Sequence, residues 1–487
     1  MKKVFLRTLA MIFALMMILS AASCADNSSD GQTDNSVNTE SDIEYPDMGG
    51  YEFVVLTENC EFQHTAFDYE EYSGKVIENA LYTRNSLMEE DYNIVITENA
   101  IQIGTAHDAI KNDILSQSHT YDLVFSLANH TFDLVAEGMF QNLNNVSELN
   151  LSASCWDQGA VRDLSVKNKL YCVTGDIHFG AFDMVSTLLY NYEMGKDLHL
   201  KDARQLALDG SWTMEELKIM IAESASDMDN DSEHLDQSDR YGISSTTAIW
   251  TNIMIGGGVS FFTKNANDIP EFSAGSARFS DVYDDMMNMV SSTNCYVPNI
   301  NSDADKSKVE GDTYRDVFNS GNALFMGGII ADLDDPRARE SGIKYSPIPF
   351  PKYDKDQKAY ASAVNFQVEV MYMPIGKDVA KVGVITQALC ERSTDTLRSG
   401  YYEQCLKLQR VQESQDSELL DLIYDSRVYD IGLISLWGNV RATFNGDLAG
   451  KYSKTGLGYF ARAYGSGAQK ECDTFIEKLN ALDDASA

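Results

Sequence analysis

The stretch YDLVFS, residues 121–126, indicates the fold of this chain. Its residues are nearly all apolar, which is typical of a strand in a sheet that is covered on both faces. Two similar runs precede it, YEFVVL at residues 51–56 and YNIVIT at residues 92–97. Apolar residues between the runs follow helical spacing, first after Ser73, which we expect to cap a helix, and then after Thr105. This alternation predicts an α/β lobe with a largely parallel sheet.

The N-terminus reads as an export signal. Basic residues precede an apolar run, residues 9–19, that is too short to cross a bilayer. The small residues ahead of Cys24 resemble the signal of bacterial lipoproteins, in which the peptide is cut before the cysteine and the cysteine carries a diacylglycerol. The resemblance implies a signal peptide at residues 1–23 and a lipid anchor at Cys24 on the extracytoplasmic face of the cell membrane. Ordinary secretion, with Cys24 incidental, is the alternative.

Composition limits the partners and the chemistry. The 487 residues are enough for two domains, and the formal net charge of −36 repels nucleic acid and favours a neutral ligand over an anion. Residues 24–48 are rich in Ser, Asn, Asp and Thr, which predicts a disordered tether. The cysteines after Cys24 are widely spaced without a C-x-x-C pair, which favours buried thiols over a disulfide framework, with a single bridged pair as the alternative.

A series of short motifs carries a resemblance to a known family. The extracellular solute-binding proteins of ABC importers, in the carbohydrate branch of maltose-binding protein, show similar stretches in the same order. The stretches are GMFQNLNNV (138–146), NKLYCVTGD (168–176), LLYNYEM (188–194), GSWTMEEL (210–217), RYGISS (240–245), IGGGVSFF (255–262), FNSGNALFMGG (318–328) and IKYSPIPFPKY (343–353).

Part of this series has a local physical explanation. Thr213 and Glu216 have the spacing of a capping box at the start of a helix, so Trp212 is interpreted as structural. Residues 323–326 read as a buried strand that ends at the following pair of glycines. The prolines of residues 343–353 fix an extended segment, and the resemblance implies that this segment returns the chain to the first lobe.

The resemblance implies a two-lobe, periplasmic-binding-protein-like α/β fold with a hinge of crossing segments and a ligand cleft between the lobes. The crossings are expected near residues 175–185, 340–347 and 395–405. The first lobe would comprise residues 49–178 with 344–400. The second, more helical lobe would comprise residues 179–343 with 401–487.

Candidate ligand-binding residues follow from the strand ends and from the resemblance. Ligands of open α/β sheets bind at the carboxyl ends of the strands, where Asn129 and His130 follow the third strand. Sugar sites use aromatic faces surrounded by polar side chains. The resemblance and these rules together select Asn129, His130, Asp176, His178, Phe179, Trp250, Asn365 and Trp437. Surface or core positions are the alternative for the histidine and the tryptophans.

The leading hypothesis is a lipid-anchored substrate-binding component of an ABC transporter. It would capture an extracellular solute, with an oligosaccharide as the expected ligand, by cleft closure and deliver it to the membrane permease as a monomer without cofactor or metal. The alternatives are a surface lipoprotein hydrolase, against which the absence of G-x-S-x-G and H-E-x-x-H weighs, and a peptide or amino-acid receptor. Asp227, Asp229 and Asp231 are spaced like a calcium loop but lack its later glycine and glutamate, which favours a solvated loop.

Overall fold

The computed structural model describes residues 45–61, 63–228, 239–290, 295–297, 313–411, 413–448 and 457–486. The expected signal peptide, Cys24, most of the tether, Asp229 and Asp231 lie outside these residues. None of the described helices combines the length and the apolar character that crossing a membrane requires.

Two mixed sheets form the framework. The strands are β1 Tyr51–Asn59, β2 Ile94–Gln102, β3 Leu123–Leu127, β4 Cys172–Val173, β5 Ser186–Asn191, β6 Tyr241–Ser244, β7 Phe262–Lys264, β8 Pro270–Phe272, β9 Cys295–Tyr296, β10 Ala323–Ile329, β11 Tyr345–Ile348, β12 Ser362–Ala363, β13 Glu369–Tyr372 and β14 Arg427–Val428. The first sheet has the order β2-β1-β3-β13-β4 and the second the order β11-β5-β10-β6-β9.

Helices cover both sheets. They are α1 Val76–Tyr92, α2 Ala106–Leu115, α3 Ala128–Thr131, α4 Gln158–Asp163, α5 Gly180–Asp183, α6 Tyr192–Asp197, α7 Ala203–Leu208, α8 Met214–Ser224, α9 Ile249–Gly256, α10 Ala277–Val290, α11 Thr313–Asn319, α12 Pro336–Glu340, α13 Val379–Ser393, α14 Gln415–Asp425, α15 Ile431–Ile434, α16 Val440–Leu448 and α17 Leu457–Ser486. A π-helix, Thr394–Arg410, continues α13, and 3₁₀ turns occupy Phe132–Glu137, Leu143–Asn145, Ile330–Asp334 and Trp437–Asn439.

The first sheet confirms the α/β lobe that the sequence predicts. β1 pairs in parallel with β2 and with β3, and every residue of β3 is buried. Neither of the helix caps expected at Ser73 and Thr213 forms a capping hydrogen bond. Helix α1 begins only at Val76, because Ser73 accepts a hydrogen bond from the Lys75 amide instead of capping the helix. Thr213 does precede α8, but its side chain makes no capping bond, and the Glu216 carboxylate pairs with Lys201.

The second sheet extends further than the sequence indicates. β10 continues through Gly327 and Gly328 to Ile329, and both glycines pair with residues of β5. β11 pairs antiparallel with β5, so residues 345–348 belong to the second sheet and not to the first lobe. Pro347 is tolerated because β11 is an edge strand. The return to the first sheet therefore falls at residues 349–368, later than the expected 340–347.

The crossings bring the same edge of each sheet together. Residues 174–185 lead from the end of β4 to the start of β5, which pairs with the end of β10. Residues 349–368 lead from the end of β11 to the start of β13, which pairs with the end of β3. The carboxyl ends of the parallel strands of both sheets therefore face each other across these crossings.

The C-terminal residues are mostly helical, as the sequence predicts, but they contact both lobes. The π-helix packs on α1 of the first lobe, and α14 packs on α7 and β11 of the second. Helix α17 packs on the 3₁₀ turn Phe132–Glu137, where Phe475 stacks on Phe132. The boundaries assigned to the two lobes stay a prediction, since these helices tie the lobes together.

Candidate ligand cleft

A cavity of about 430 Å³ lies where the two strand edges meet. One wall follows the end of β1 and the other follows the end of β10. Its lining residues are Glu61, Gln63, His64, Arg315, Ile329, Ala331, Asp332, Asp334, Asp335, Pro336 and Arg337. Most of the lining residues are polar or charged, and the cavity lies at the place where ligands of open α/β sheets bind.

Ion pairs order the second-lobe wall. Arg315 Nη2 lies 2.7 Å from Asp332 Oδ1, and the other oxygen of Asp332 accepts a hydrogen bond from the Ile329 amide. Arg337 pairs with Asp335 at 2.7 Å. Because these carboxylates are matched by guanidinium groups, the wall presents many hydrogen-bonding atoms without a large excess of charge.

His64 joins the first-lobe wall to the crossing segment. Its amide and its Nδ1 both contact Asp183 Oδ2, at 2.6 and 2.9 Å, and Tyr401 donates to Asp183 Oδ1. Burial alone would lower the pKa of His64, but the charge of the Asp183 carboxylate, its hydrogen bond to the ring and the charge of Asp334 together raise the pKa. The buried carboxylate therefore favours the protonated imidazole.

We expect the His64–Asp183 pair to make stability depend on pH. A folded-state pKa above the ordinary 6.5 means that the pair stabilises the fold fully below pH 6.5, and that its contribution is lost as the pH rises through the folded pKa. The His64→Gln variant should therefore be less stable than the parent at pH 5.5, with the difference shrinking by pH 9. Urea denaturation at several pH values measures this. The exposed-residue control His199→Asn should follow the parent at every pH, and a constant His64→Gln deficit would contradict the assignment.

His130 points inward. Its Nδ1 lies 3.4 Å from both oxygens of Glu58, which is fully buried and also accepts hydrogen bonds from Ser126 Oγ and the Leu127 and Gly104 amides. Burial would raise the pKa of Glu58, but these hydrogen bonds together lower it. Glu58 is thus an ionised carboxylate that orders the loop after β3, and His130 supports it.

His178 and Phe179 have no exposed surface, so neither can contact a ligand in this conformation. His178 stacks on Phe125 and lies 3.3 Å from Glu369, which is also fully buried. Burial lowers the pKa of His178 to about 4, and burial raises the pKa of Glu369 well above its ordinary value. Both side chains are therefore neutral near pH 7 and serve the core beneath the cleft.

Asp176 and Asn365 stabilise the crossings. Asp176 is buried and accepts a hydrogen bond from Thr394 Oγ1, with Arg398 at 3.5 Å. The Asn365 amide donates to the Met184 carbonyl at 2.8 Å, and its side chain accepts from the Gln367 amide. The structure places both residues beside the expected cleft, but their side-chain oxygens already hold protein partners.

The two selected tryptophans are buried. Trp437 is 5% exposed and packs among Phe132, Phe262 and Phe475. Trp250 on α9 is 1% exposed, and its Nε1 has no hydrogen-bond partner among the described residues. Neither ring is available as a stacking platform in this conformation.

Buried polar atoms without a partner gather around the loop of residues 365–368. Gln63 Nε2 donates to the Gln367 carbonyl, and the amide of Ala128, next to Asn129, donates to the Val368 carbonyl. Arg441 lies over the ring of Phe366 in the same loop. Gln63 Oε1, Asn129 Oδ1 and Arg441 Nε are all buried without a hydrogen bond to the described part of the chain. Since such atoms are costly when unpaired, this is where ligand groups are expected.

Of the residues selected from the sequence, Asn129 alone combines this position with an unpaired atom. The sequence analysis missed Gln63, His64, Phe366 and Arg441. Gln63 and His64 follow β1 at the same sheet edge as Asn129, so the strand-end rule that selected Asn129 applies to them equally. No sequence signal identifies Arg441, whose position depends on the packing of α16.

No protein-family model matches this chain, and no curated protein matches its sequence. Solved structures do match. UspC of M. tuberculosis is 12% identical, over 86% of this chain and 99% of that one, with a TM-score of 0.56. The maltose/maltodextrin-binding domain MalE from Bdellovibrio bacteriovorus, bound to maltotriose, is 11% identical over 86% and 99%, with a TM-score of 0.52.

A third similar structure is an ABC transporter solute-binding protein from Thermotoga lettingae TMO, bound with α-D-tagatose. It is 13% identical, covers 87% of this chain and 100% of that one, and has a TM-score of 0.52. At these identities the likeness shows the fold. The chain has the two-lobe α/β fold of the solute-binding proteins of ABC transporters, the fold that the sequence motifs imply.

Proposed function

We propose that this protein is the substrate-binding component of an ABC importer, which captures a saccharide between its lobes and delivers it to a membrane permease. The observation that carries the proposal is the cavity between the two facing sheet edges, flanked by buried polar atoms that lack partners among the described residues. Its volume of about 430 Å³ lies within the range typical of small-molecule sites.

The chemistry of the site suits a polyhydroxylated ligand. Asn129 Oδ1 and Gln63 Oε1 are acceptors that hydroxyl groups can satisfy, and the wall of paired Arg and Asp side chains offers both donors and acceptors. Maltotriose and α-D-tagatose in the similar structures support a sugar over a peptide. An oligosaccharide is the ligand that we propose.

Closure of the cleft provides the signal for delivery. The lobes are joined by crossings at residues 174–185 and 349–368, so they can rock about a few residues while each sheet stays rigid. A ligand that contacts Gln63 on one wall and Arg315 or Asp332 on the other favours the closed state, because only that state makes both sets of contacts. The permease would recognise the closed form.

The test is a thermal-shift screen of the purified protein against oligosaccharides, monosaccharides, peptides and amino acids. A saccharide that binds the folded state should raise the melting midpoint with increasing concentration and should be recovered unchanged. Gln63→Ala should weaken binding about tenfold, the loss of one good hydrogen bond, whereas Gln205→Ala, at an exposed position, should not. A shift with peptides alone, or the appearance of hydrolysis products, would contradict the proposal.

We also propose that a lipid on Cys24 holds the protein at the extracytoplasmic face of the cell membrane, as a monomer. The run of small residues ahead of Cys24 supports the lipid anchor. Cys24→Ala should leave the protein unprocessed or release it into the medium, and radiolabelled fatty acid should no longer be incorporated. Undiminished labelling of the variant would contradict the anchor, and the buried Cys472→Ala variant is the control for labelling.

A further inference from the structure

Arg441 lies over the loop of residues 365–368, in which the Gln367 carbonyl bonds to the cavity residue Gln63. Its Cζ lies 3.4 Å from the ring centroid of Phe366, and its Nε is buried without a hydrogen-bond partner. Within the described ranges, no carboxylate forms an ion pair with it. Burial lowers the pKa of Arg441 to about 10, so the guanidinium remains charged at neutral pH.

The Nε donor of the guanidinium is not used by a hydrogen bond to the described residues. The phenyl ring of Phe366 covers one face, and N–H groups of a guanidinium point outward in its own plane. The Nε edge presents two parallel N–H groups, a geometry that matches the two oxygens of a carboxylate. A neutral hydroxyl can satisfy one of these donors, but only an anion also balances the charge.

Arg441 lies beside the unpaired acceptors. Phe366 precedes Gln367, whose carbonyl accepts from Gln63, a residue of the cavity wall. The same loop is hydrogen-bonded through Val368 to Ala128, the neighbour of Asn129. One cation and two amide oxygens thus surround a single loop at the sheet edge.

We propose that the ligand is an acidic saccharide whose carboxylate binds the Arg441 guanidinium, while its hydroxyls donate to Asn129 Oδ1 and Gln63 Oε1. This inference rests on the function proposed above. It replaces the neutral ligand that the sequence-wide charge favours.

The net charge of −36 does not oppose this assignment strongly. Charges on the outer surface are screened beyond the Debye length, about 8 Å at physiological ionic strength. Two carboxylates of the cavity wall, on Asp332 and Asp335, are already paired with Arg315 and Arg337. A buried, unpaired guanidinium at contact distance is screened far less, so it dominates the local preference.

Isothermal titration of the purified protein with matched sugars tests the inference. The pairs are glucose with glucuronate, galactose with galacturonate, and a neutral disaccharide with digalacturonate, with glucose 6-phosphate as a second anion. We expect the uronate of at least one pair to bind about tenfold or more tighter than its neutral partner, as a charge-assisted bidentate contact implies. Arg441→Gln should remove this preference, because the affinity for the uronate falls to that of its neutral partner.

Two controls separate the site from general effects. Arg462→Gln removes the same charge from an exposed position on α17 and should leave the preference intact. Phe366→Leu removes the stacking ring but keeps the cation, so a preference for the uronate should remain. Equal binding within every pair, an equal loss of both ligands in Arg441→Gln, or binding of the sugar phosphate in place of uronates would overturn the inference. Binding of neutral sugars alone would leave the proposed function standing, and no binding of any saccharide would overturn both.

Discussion

Arg84→Ala is expected to lower the free energy of unfolding by about 3–5 kcal/mol, the range for a large buried side chain that leaves unpaired groups behind. Arg84 on α1 has no exposed surface. Its Nη1 donates to the Ile177 carbonyl and its Nη2 to the Phe67 carbonyl, both at 2.9 Å. The guanidinium therefore ties helix α1 to the first crossing and to the loop after β1.

The expected loss of stability has two sources, the apolar stem of Arg84 and its hydrogen-bond donors. A second variant separates them. Arg84→Met keeps much of the apolar stem and removes only the donors, so it should be less destabilising than Arg84→Ala. The control is Arg398→Ala, because Arg398 is 42% exposed and its pairing with Asp176 should contribute less than about 1 kcal/mol. Urea denaturation gives all three values. An Arg84→Ala variant within about 1 kcal/mol of the parent would show that the buried charge costs as much as its hydrogen bonds supply.

Burial lowers the pKa of Arg84 to about 9, so the group stays charged at pH 7 although it has no paired carboxylate within the described ranges. The cation is balanced by carbonyl dipoles and by the ring of Phe67, 4.1 Å from Cζ. Because Ile177 belongs to the segment that joins the lobes, this contact fixes where the crossing leaves the first lobe.

The alternation of apolar runs predicts the first sheet well. The run at residues 121–126 corresponds to β3, and the runs before it correspond to β1 and β2, because strands that are buried on both faces need apolar side chains throughout. Their ends are less well predicted. β1 continues through Thr57, Glu58 and Asn59, polar residues that the pattern excludes but that pair with β2 and bond to the loops around it.

Charged core residues lie beyond what the pattern can predict. Arg84 and Glu58 are fully buried, although charged side chains are normally exposed unless paired. Their partners are distant in sequence: Arg84 bonds to Ile177, and Glu58 bonds to Ser126. Such burial follows from tertiary contacts that no local window contains.

The position of the candidate cleft could be predicted from the sequence, but most of its residues could not. The strand-end rule points to the edge after β1 and β3, and Asn129 is at that edge with an oxygen that is unpaired among the described residues. His178 and Phe179 are also near the edge but under it, because the crossing segment turns their side chains into the core. Arg441 reaches the site from α16, more than three hundred residues beyond Asn129, and only the packing of that helix reveals it.

Trp437→Ala is expected to lower the free energy of unfolding by about 3–5 kcal/mol, the usual cost of truncating a buried aromatic side chain. Its ring lies 5.2 Å from Phe262, 5.5 Å from Phe475 and 6.4 Å from Phe132, measured between centroids. These three rings come from β7, from α17 and from the turn after α3. Trp437 therefore joins both lobes to the C-terminal helix.

The backbone beside Trp437 leaves no room for relaxation. Gly438 has a φ of +60°, and a Cβ there would lie 2.6 Å from the Cβ of Ala468 on α17. Because the turn is pressed against the helix, the cavity left by alanine cannot collapse, and Trp437→Phe should lose less. Leu408→Ala is the matched control, since Leu408 is 77% exposed and its truncation should change stability by less than about 0.5 kcal/mol.

The sequence interpretation of Trp437 as a sugar platform makes the opposite prediction. A platform residue would weaken ligand binding in the alanine variant without lowering the unfolding free energy. Packing among three aromatic rings instead predicts lower stability, with the folded fraction of the variant binding ligand nearly as the parent does. Denaturation and titration of the same variant therefore decide whether Trp437 holds the lobes together or holds the ligand.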